Sequence, residues 1–187
     1  EGEIFARAQR GYSLKNEYQD GTFIDEVPTA FSTERMKPLK DKAKEGRINA
    51  KGIPYLYLAN DIETAIAETR PWVNDLVTIA KFKISRKLRL IYFERKSTKN
   101  IIYLGKVPKN KINDIVLSNI NKSFSQPITN NDNKADYAPS QILAEIIKNE
   151  GYDGVIYGSN VGRGLNVSLF SLGDAESIER CLYKVNK

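Results

Sequence analysis

The chain has no histidine in 187 residues, and that absence removes whole classes of chemistry. A Ser-His-Asp or Cys-His pair, a His-ligated zinc site and an imidazole acid or base near neutral pH are all ruled out. Cysteine is almost absent too. The single thiol, Cys181, can form no internal disulfide and no cysteine-rich metal centre, which fits a reducing compartment and leaves Cys181 as a packing residue. Long apolar runs are also missing: no segment approaches the roughly 20 consecutive apolar residues of a membrane helix. Residues 1–5 lack the basic-then-apolar layout of a signal peptide, and Glu1 in place of Met reads as trimming from a longer chain. Any catalysis therefore rests on carboxylates, Tyr, Ser, Lys and Arg; no metal site is expected.

What is present is an ordinary globular composition, 41% apolar, in a chain long enough to bury a sizeable core as one domain over residues 1–187. Lys and Arg number 29 against 23 Asp and Glu, a net charge of +6 that favours an anionic partner: nucleic acid, an acidic protein or a phosphorylated small molecule. Alternation predicts strands over residues 4–9 (IFARAQ), 53–59 (IPYLYLA), 76–84, 88–93, 154–157, 166–172 and 177–185. Residues 10–35 read as irregular, and Pro38 opens a short helix that Gly46 ends. Asn60 or Asp61 caps a helix through Thr69, which Pro71 stops. Its apolar stripe is Ile62, Ala65, Ile66 and Thr69, with Glu68 at the margin of the buried face. Further helices are predicted over residues 112–121 and from Pro139 to Gly151, the latter with Ile142, Leu143, Ile146 and Ile147 on one stripe. Between them, residues 123–136 (SFSQPITNNDNKAD) have the composition of a loop and a candidate lid. Strands and helices in mixed order, without βαβ alternation, indicate an α+β fold. Neither GRGLN nor GRINAKG has the glycine spacing of a Rossmann or Walker loop.

Residues 46–72 (GRINAKGIPYLYLANDIETAIAETRPW) concentrate polar groups beside apparent core. If the anionic partner is a dinucleotide whose sugar–base bond is to break, departure of a cationic base leaves an oxocarbenium-like sugar. Such a site needs a carboxylate near the ribose, an arginine for the phosphates and an aromatic plane. Glu68, Arg47 and Tyr57 are those three types. Nicotinamide leaves NAD without being protonated, so the lack of histidine is no obstacle. Taken singly, each side chain has a plainer role. Arg47 suits a solvated loop, Tyr57 a core tyrosine, Glu68 a surface pair with Arg70 or Lys81, Ser159 and Asn166 a turn, and Arg7 a strand edge.

The combination of motifs changes that balance. Residues 46–72, followed by YAPSQILAEIIKNEGYDGVIYGSNVGRGLNVSLF at 137–170, resemble the RES-domain family. That family has a G-R-x-N-x-x-G-x-P-x-L-Y-x-A stretch, a T-A-x-x-E helix, a D-G-x-x-Y-x-S turn and an N-x-x-L-F strand. The match spans roughly a third of the chain at several fixed spacings.

The resemblance implies a single RES-like catalytic domain with two split, twisted sheets around a cleft and flanking helices, similar to ADP-ribosyltransferases. It implies an NAD-degrading bacterial toxin, an NAD phosphorylase or glycohydrolase with phosphate or water as acceptor. Glu68, Arg47, Tyr57 and Ser159 fall on functional positions, and Arg7, Asn49 and Asn166 join Arg47, Tyr57 and Ser159 in holding NAD. NAD is then a substrate, and no cofactor is expected. A cognate antitoxin or immunity protein would cover the cleft, with neither membrane nor nucleic acid as a direct partner. Ile48 and Ala50 depart from the family's usual residues and bear on loop shape and acceptor preference. Action in the cytoplasm is expected, with a piece of a larger secreted effector as the alternative. Two rival activities stand beside this one: ADP-ribose transfer to a protein or nucleic acid, and a non-enzymatic basic nucleic-acid-binding module, against which the scattered lysines weigh.

Overall fold

The computed structural model describes residues 2–39, 42–93, 109–126 and 137–186. Among these the chain runs β1 (Ile4–Arg10), β2 (Ser13–Gln19), β3 (Thr22–Thr29), β4 (Leu56–Ala59), α1 (Ile62–Thr69), β5 (Leu76–Ile84), β6 (Leu90–Phe93), α2 (Lys109–Ser125), α3 (Ala138–Asn149), β7 (Gly154–Gly158), β8 (Leu165–Leu169) and β9 (Ala175–Lys184). Seven strands join in the order β6-β7-β8-β4-β1-β5-β9, and β2 with β3 forms a separate two-stranded sheet. Within the large sheet β6 and β7 are parallel, and the other neighbours are antiparallel. The expected α+β class is the one adopted.

The ladder is uneven. β1 follows β5 from Ile4↔Lys83 to Arg10↔Val77 but meets β4 at a single pair, Ala6↔Ala59. The large sheet is therefore two halves, β6-β7-β8-β4 and β1-β5-β9, joined at that pair and open beside it. Alternation along the strands sends Leu56, Leu58, Phe82, Val167 and Leu169 to one core, packed with Met36. Tyr55, Val155 and Tyr157 go to a second core with Phe93, Phe124, Ala144 and Ile147, so α2 and α3 cover the β6–β7 side. A third, small cluster of Ala6, Ala59 and Ala65 seats α1 over the junction of the halves, where alanines permit close approach.

Helix α1 starts as predicted. The Asp61 side chain accepts from the Thr64 amide at 2.6 Å, and the Thr64 hydroxyl donates back to Asp61 Oδ2 at 2.9 Å. The turn before β8 packs onto this cap through Gly164, whose amide donates to Thr64 Oγ1 at 3.0 Å. A Cβ at Gly164 would collide with Asp61, Asn60 and Thr64, so glycine is required there by proximity.

Several expectations are corrected. Residues 10–35 are not irregular throughout: β2 and β3 form a hairpin over Asp20 and Gly21, both at positive φ (49° and 78°). No α-helix follows Pro38 in the described residues 38–39 and 42–46; the Lys42 amide closes one turn onto Leu39, and the chain then extends to bury Ala43. β4 begins at Leu56 and β6 at Leu90, each later than predicted. Helix α2 runs beyond residue 121 to Ser125 because Phe124 packs against Phe93 and Tyr157. The rest of the proposed lid, residues 127–136, lies outside the described residues, as do 94–108. On α3 the buried residues are Ser140, Ala144 and Ile147, while Ile142 and Ile146 are 61% and 53% exposed. The helix is rotated so that its polar first turn faces the loop at 45–49.

Phe82 is fully buried in the first core. Phe82→Ala should cost about 3–5 kcal/mol, read as a lower urea midpoint with unchanged slope.

Candidate active site

A cavity of about 490 Å3 opens where β1 and β4 part, lined by both strands, residues 44–47 and 49, the second half of α1, the end of α2, Tyr157 and Asn166. Six of the seven residues singled out from the sequence line it: Arg7, Arg47, Asn49, Tyr57, Glu68 and Asn166. Ser159 does not, and its placement explains why.

Glu68 stands on the last turn of α1 with its backbone fixed by the helix and its side chain exposed toward the cavity. Two donors from the neighbouring half-sheet converge on one oxygen: Ser159 Oγ at 2.7 Å and Asn166 Nδ2 at 2.5 Å from Oε1. Ser159 is fully buried, and its own oxygen accepts from the amides of Val161 and Gly162 at 3.2 and 2.8 Å. The serine thus sits behind the carboxylate and orients it, rather than facing the cavity. The plainer surface pairing of Glu68 with Lys81 is not adopted; Lys81 bonds Glu179 at 2.7 Å.

Arg7 spans the opening. Its Nη1 donates to the Tyr57 carbonyl at 2.8 Å, a side-chain link between β1 and β4 where strand pairing has ended. Burial lowers its pKa to about 10, with the adjacent Tyr57 opposing the shift, so it stays charged at neutral pH. Its Nε is buried with no hydrogen-bond partner among the described residues.

The loop at 44–49 is shaped by Asn49, only 3% exposed. Its Nδ2 donates to the carbonyls of Lys44 and Ile53 at 2.9 Å, and its Oδ1 accepts from the Tyr57 hydroxyl at 2.6 Å. Gly46 passes so close to this pair that a Cβ would collide with both. Asn49 and the Tyr57 hydroxyl therefore act on each other, and Tyr57 offers the cavity its ring. Burial raises the Tyr57 and Tyr157 pKa values above the ordinary phenol range, keeping both neutral. Arg47 is held over the Tyr137 ring, 4.8 Å from its centroid, with Nε donating to the Gln126 carbonyl at 2.6 Å.

Sequence reasoning missed several participants. From α3, Gln141 Nε2 donates to the carbonyls of Gly46 and Asn49 at 2.9 and 3.2 Å, and the Ser140 hydroxyl to that of Arg47 at 2.5 Å. Both lie in the quoted YAPSQ stretch but read as ordinary first-turn residues. Lys44, Glu45, Arg70 and Tyr157 also line the cavity. The lining residues thus include four cationic ones (Arg7, Lys44, Arg47, Arg70) and two acidic ones (Glu45, Glu68), a balance suited to a ligand with more than one negative charge. No group of acidic or cysteine side chains able to hold a metal occurs among the described residues.

A family model described as RES domain matches residues 25–181. Among solved structures, the chain is similar to one described as the crystal structure of the M. tuberculosis MbcT-MbcA toxin-antitoxin complex. The identity is 13% and the TM-score 0.44, over 98% of this chain and 87% of that one. No curated protein matches.

Tyr55, like Tyr57 and Tyr157, has its pKa raised, first by burial and then by its bond to Glu145. A raised folded-state pKa means stability that is complete below the unfolded phenol value of about 10 and is lost as pH climbs beyond it. Thermal midpoints should therefore fall once pH exceeds about 10, with phenolate absorbance from these three rings emerging only as the chain unfolds.

Proposed function

Since the chain belongs to the RES-domain family, whose model spans residues 25–181, we propose that it cleaves the nicotinamide–ribose bond of NAD and passes the ADP-ribosyl group to phosphate or water. The observation that carries this reading is the convergence of Glu68, Arg7, Arg47 and Tyr57 on one cavity.

In the proposed complex the pyrophosphate lies against Arg7 and Arg47, whose planar guanidinium groups suit phosphate oxygens. The Tyr57 ring packs on the nicotinamide ribose. Glu68 receives the ribose 2′-hydroxyl on Oε2, its other oxygen being held by Ser159 and Asn166. As the glycosidic bond breaks, its electron pair leaves with nicotinamide, which departs neutral, and positive charge develops on the sugar. A fixed carboxylate opposes that charge most strongly in the transition state, without reorganising. A phosphate or water oxygen then bonds to the anomeric carbon, and with water a proton is released.

The resemblance extends the reading to biology: a bacterial toxin acting in the cytoplasm, held inactive by a cognate antitoxin or immunity protein over the cleft. NAD is the substrate throughout, and no cofactor is required.

The test is to incubate the protein with labelled NAD, with and without inorganic phosphate, and to separate the products. ADP-ribose 1″-phosphate identifies phosphorolysis and free ADP-ribose hydrolysis; label on a macromolecule from added lysate would move the reading to ADP-ribose transfer. Glu68→Gln should lower kcat by roughly two to three orders of magnitude with a much smaller change in KM. Wild-type turnover in that variant would sink the assignment of Glu68.

A further inference from the structure

Helix α1 ends at Arg70, whose backbone is left-handed (φ 47°, ψ 58°) with its amide bonded to the Ala67 carbonyl. Three non-glycine residues have positive φ among those described: Asp20, Arg70 and Asn74. Asp and Asn tolerate this region because their short side chains bond the local backbone, whereas a long side chain there is disfavoured, and glycine is the usual choice at this cap. Pro71 follows directly, and a residue before proline is pushed toward extended backbone, so the left-handed conformation is disfavoured on a second count. Strained backbone of this kind persists only where the surrounding structure holds it, and it clusters at ligand and active sites.

Arg70 lines the same cavity as Glu68, two residues earlier, and is exposed. The end of a helix carries partial negative charge, and Glu68 adds a full one. A phosphate approaching this wall would be repelled by both. Arg70 is the cation that α1 itself contributes to the lining; Arg7, Lys44 and Arg47 come from β1 and from the loop before β4. We propose that Arg70 is an anion-binding residue of the cavity, seating a phosphate oxyanion beside Glu68. This rests on the NAD-cleaving reading for its place in a reaction, and the oxyanion has two possible sources: the diphosphate of the dinucleotide or the inorganic phosphate that accepts the sugar.

A purely structural role is the competing account, since a cation at a helix C-terminus also favours the helix dipole. Arg70→Gly separates the two because it relieves the backbone while removing the side chain. Its thermal midpoint should equal or exceed that of the wild type. Calorimetric titration with ADP-ribose and, separately, with inorganic phosphate reads the binding. Loss of one charge-assisted contact should weaken affinity for at least one probe roughly ten- to a hundredfold, with Arg70→Lys intermediate. Weakening confined to ADP-ribose assigns Arg70 to the diphosphate, and weakening confined to phosphate assigns it to the acceptor. Unchanged affinities for both probes in Arg70→Gly, or a wild type that binds neither, overturn the proposal. Turnover of NAD by the wild type is scored independently: consumption with unchanged probe binding in Arg70→Gly removes this inference alone, and Arg70-dependent binding without consumption removes the NAD-cleaving reading alone.

Discussion

The meeting of β1 and β4 at one residue pair is the constraint on which the rest of the structure depends. A continuous ladder would satisfy both backbones and leave no room between the halves. Because pairing stops at Ala6↔Ala59, an opening forms inside a sheet whose remaining neighbours are well paired. The link from Arg7 to the Tyr57 carbonyl then puts a cation into the gap, where its hydrogen bond bridges the two halves. The arrangement has a cost. One buried N–H of Arg7 has no partner among the described residues, at a cost of about 1–3 kcal/mol, and burial disfavours the charge itself. Costs of this kind are tolerated where the surrounding structure holds a side chain in place, and they cluster at functional sites.

Around that opening the polar side chains fall into two groups that hold each other in place. Ser159 and Asn166 fix Glu68 from the half-sheet containing β7 and β8, while Asn49 fixes Tyr57 and the loop that carries Arg47. Neither Ser159 nor Asn49 needs to touch a ligand to matter. Each is a buried polar residue whose bonds are spent on a neighbour that does face the cavity, and this pre-orientation is what lets fixed charges act in a transition state without reorganising.

Much of this was legible in the sequence, for identifiable reasons. α1 was readable because Asp61 caps it and Pro71 stops it, and β5 because its alternation spans nine residues. The convergence of Arg47, Tyr57, Glu68 and Asn166 was implied by the resemblance to the RES-domain family, since each side chain taken singly has a plainer role. The hairpin escaped notice because most of its residues are exposed on both faces, so burial imposed no alternation; the signal that could have found it was Asp20-Gly21, a two-residue turn favoured at positive φ. The α3 register was misread because apolar side chains were expected inside, whereas the helix turns Ser140 and Gln141 to the loop carbonyls. Polar residues that serve backbone groups leave no periodic trace. Arg70 was invisible for a related reason: its strain exists only in φ and ψ, and its place in the cavity depends on how α1 sits over a split that no single strand encodes.

The absence of histidine now takes on a structural meaning. The cavity charges come from guanidinium, ammonium and carboxylate groups, and its two tyrosines, Tyr57 and Tyr157, are held neutral by burial. A reaction that needed a proton delivered near neutral pH would be poorly served by this set. One that needs an electrostatic surface, positive toward a diphosphate and negative toward a developing sugar cation, is well served. Departure of a neutral base from a charged nucleotide is of that second kind, so the reading proposed for this site asks nothing of the residue type that the chain lacks.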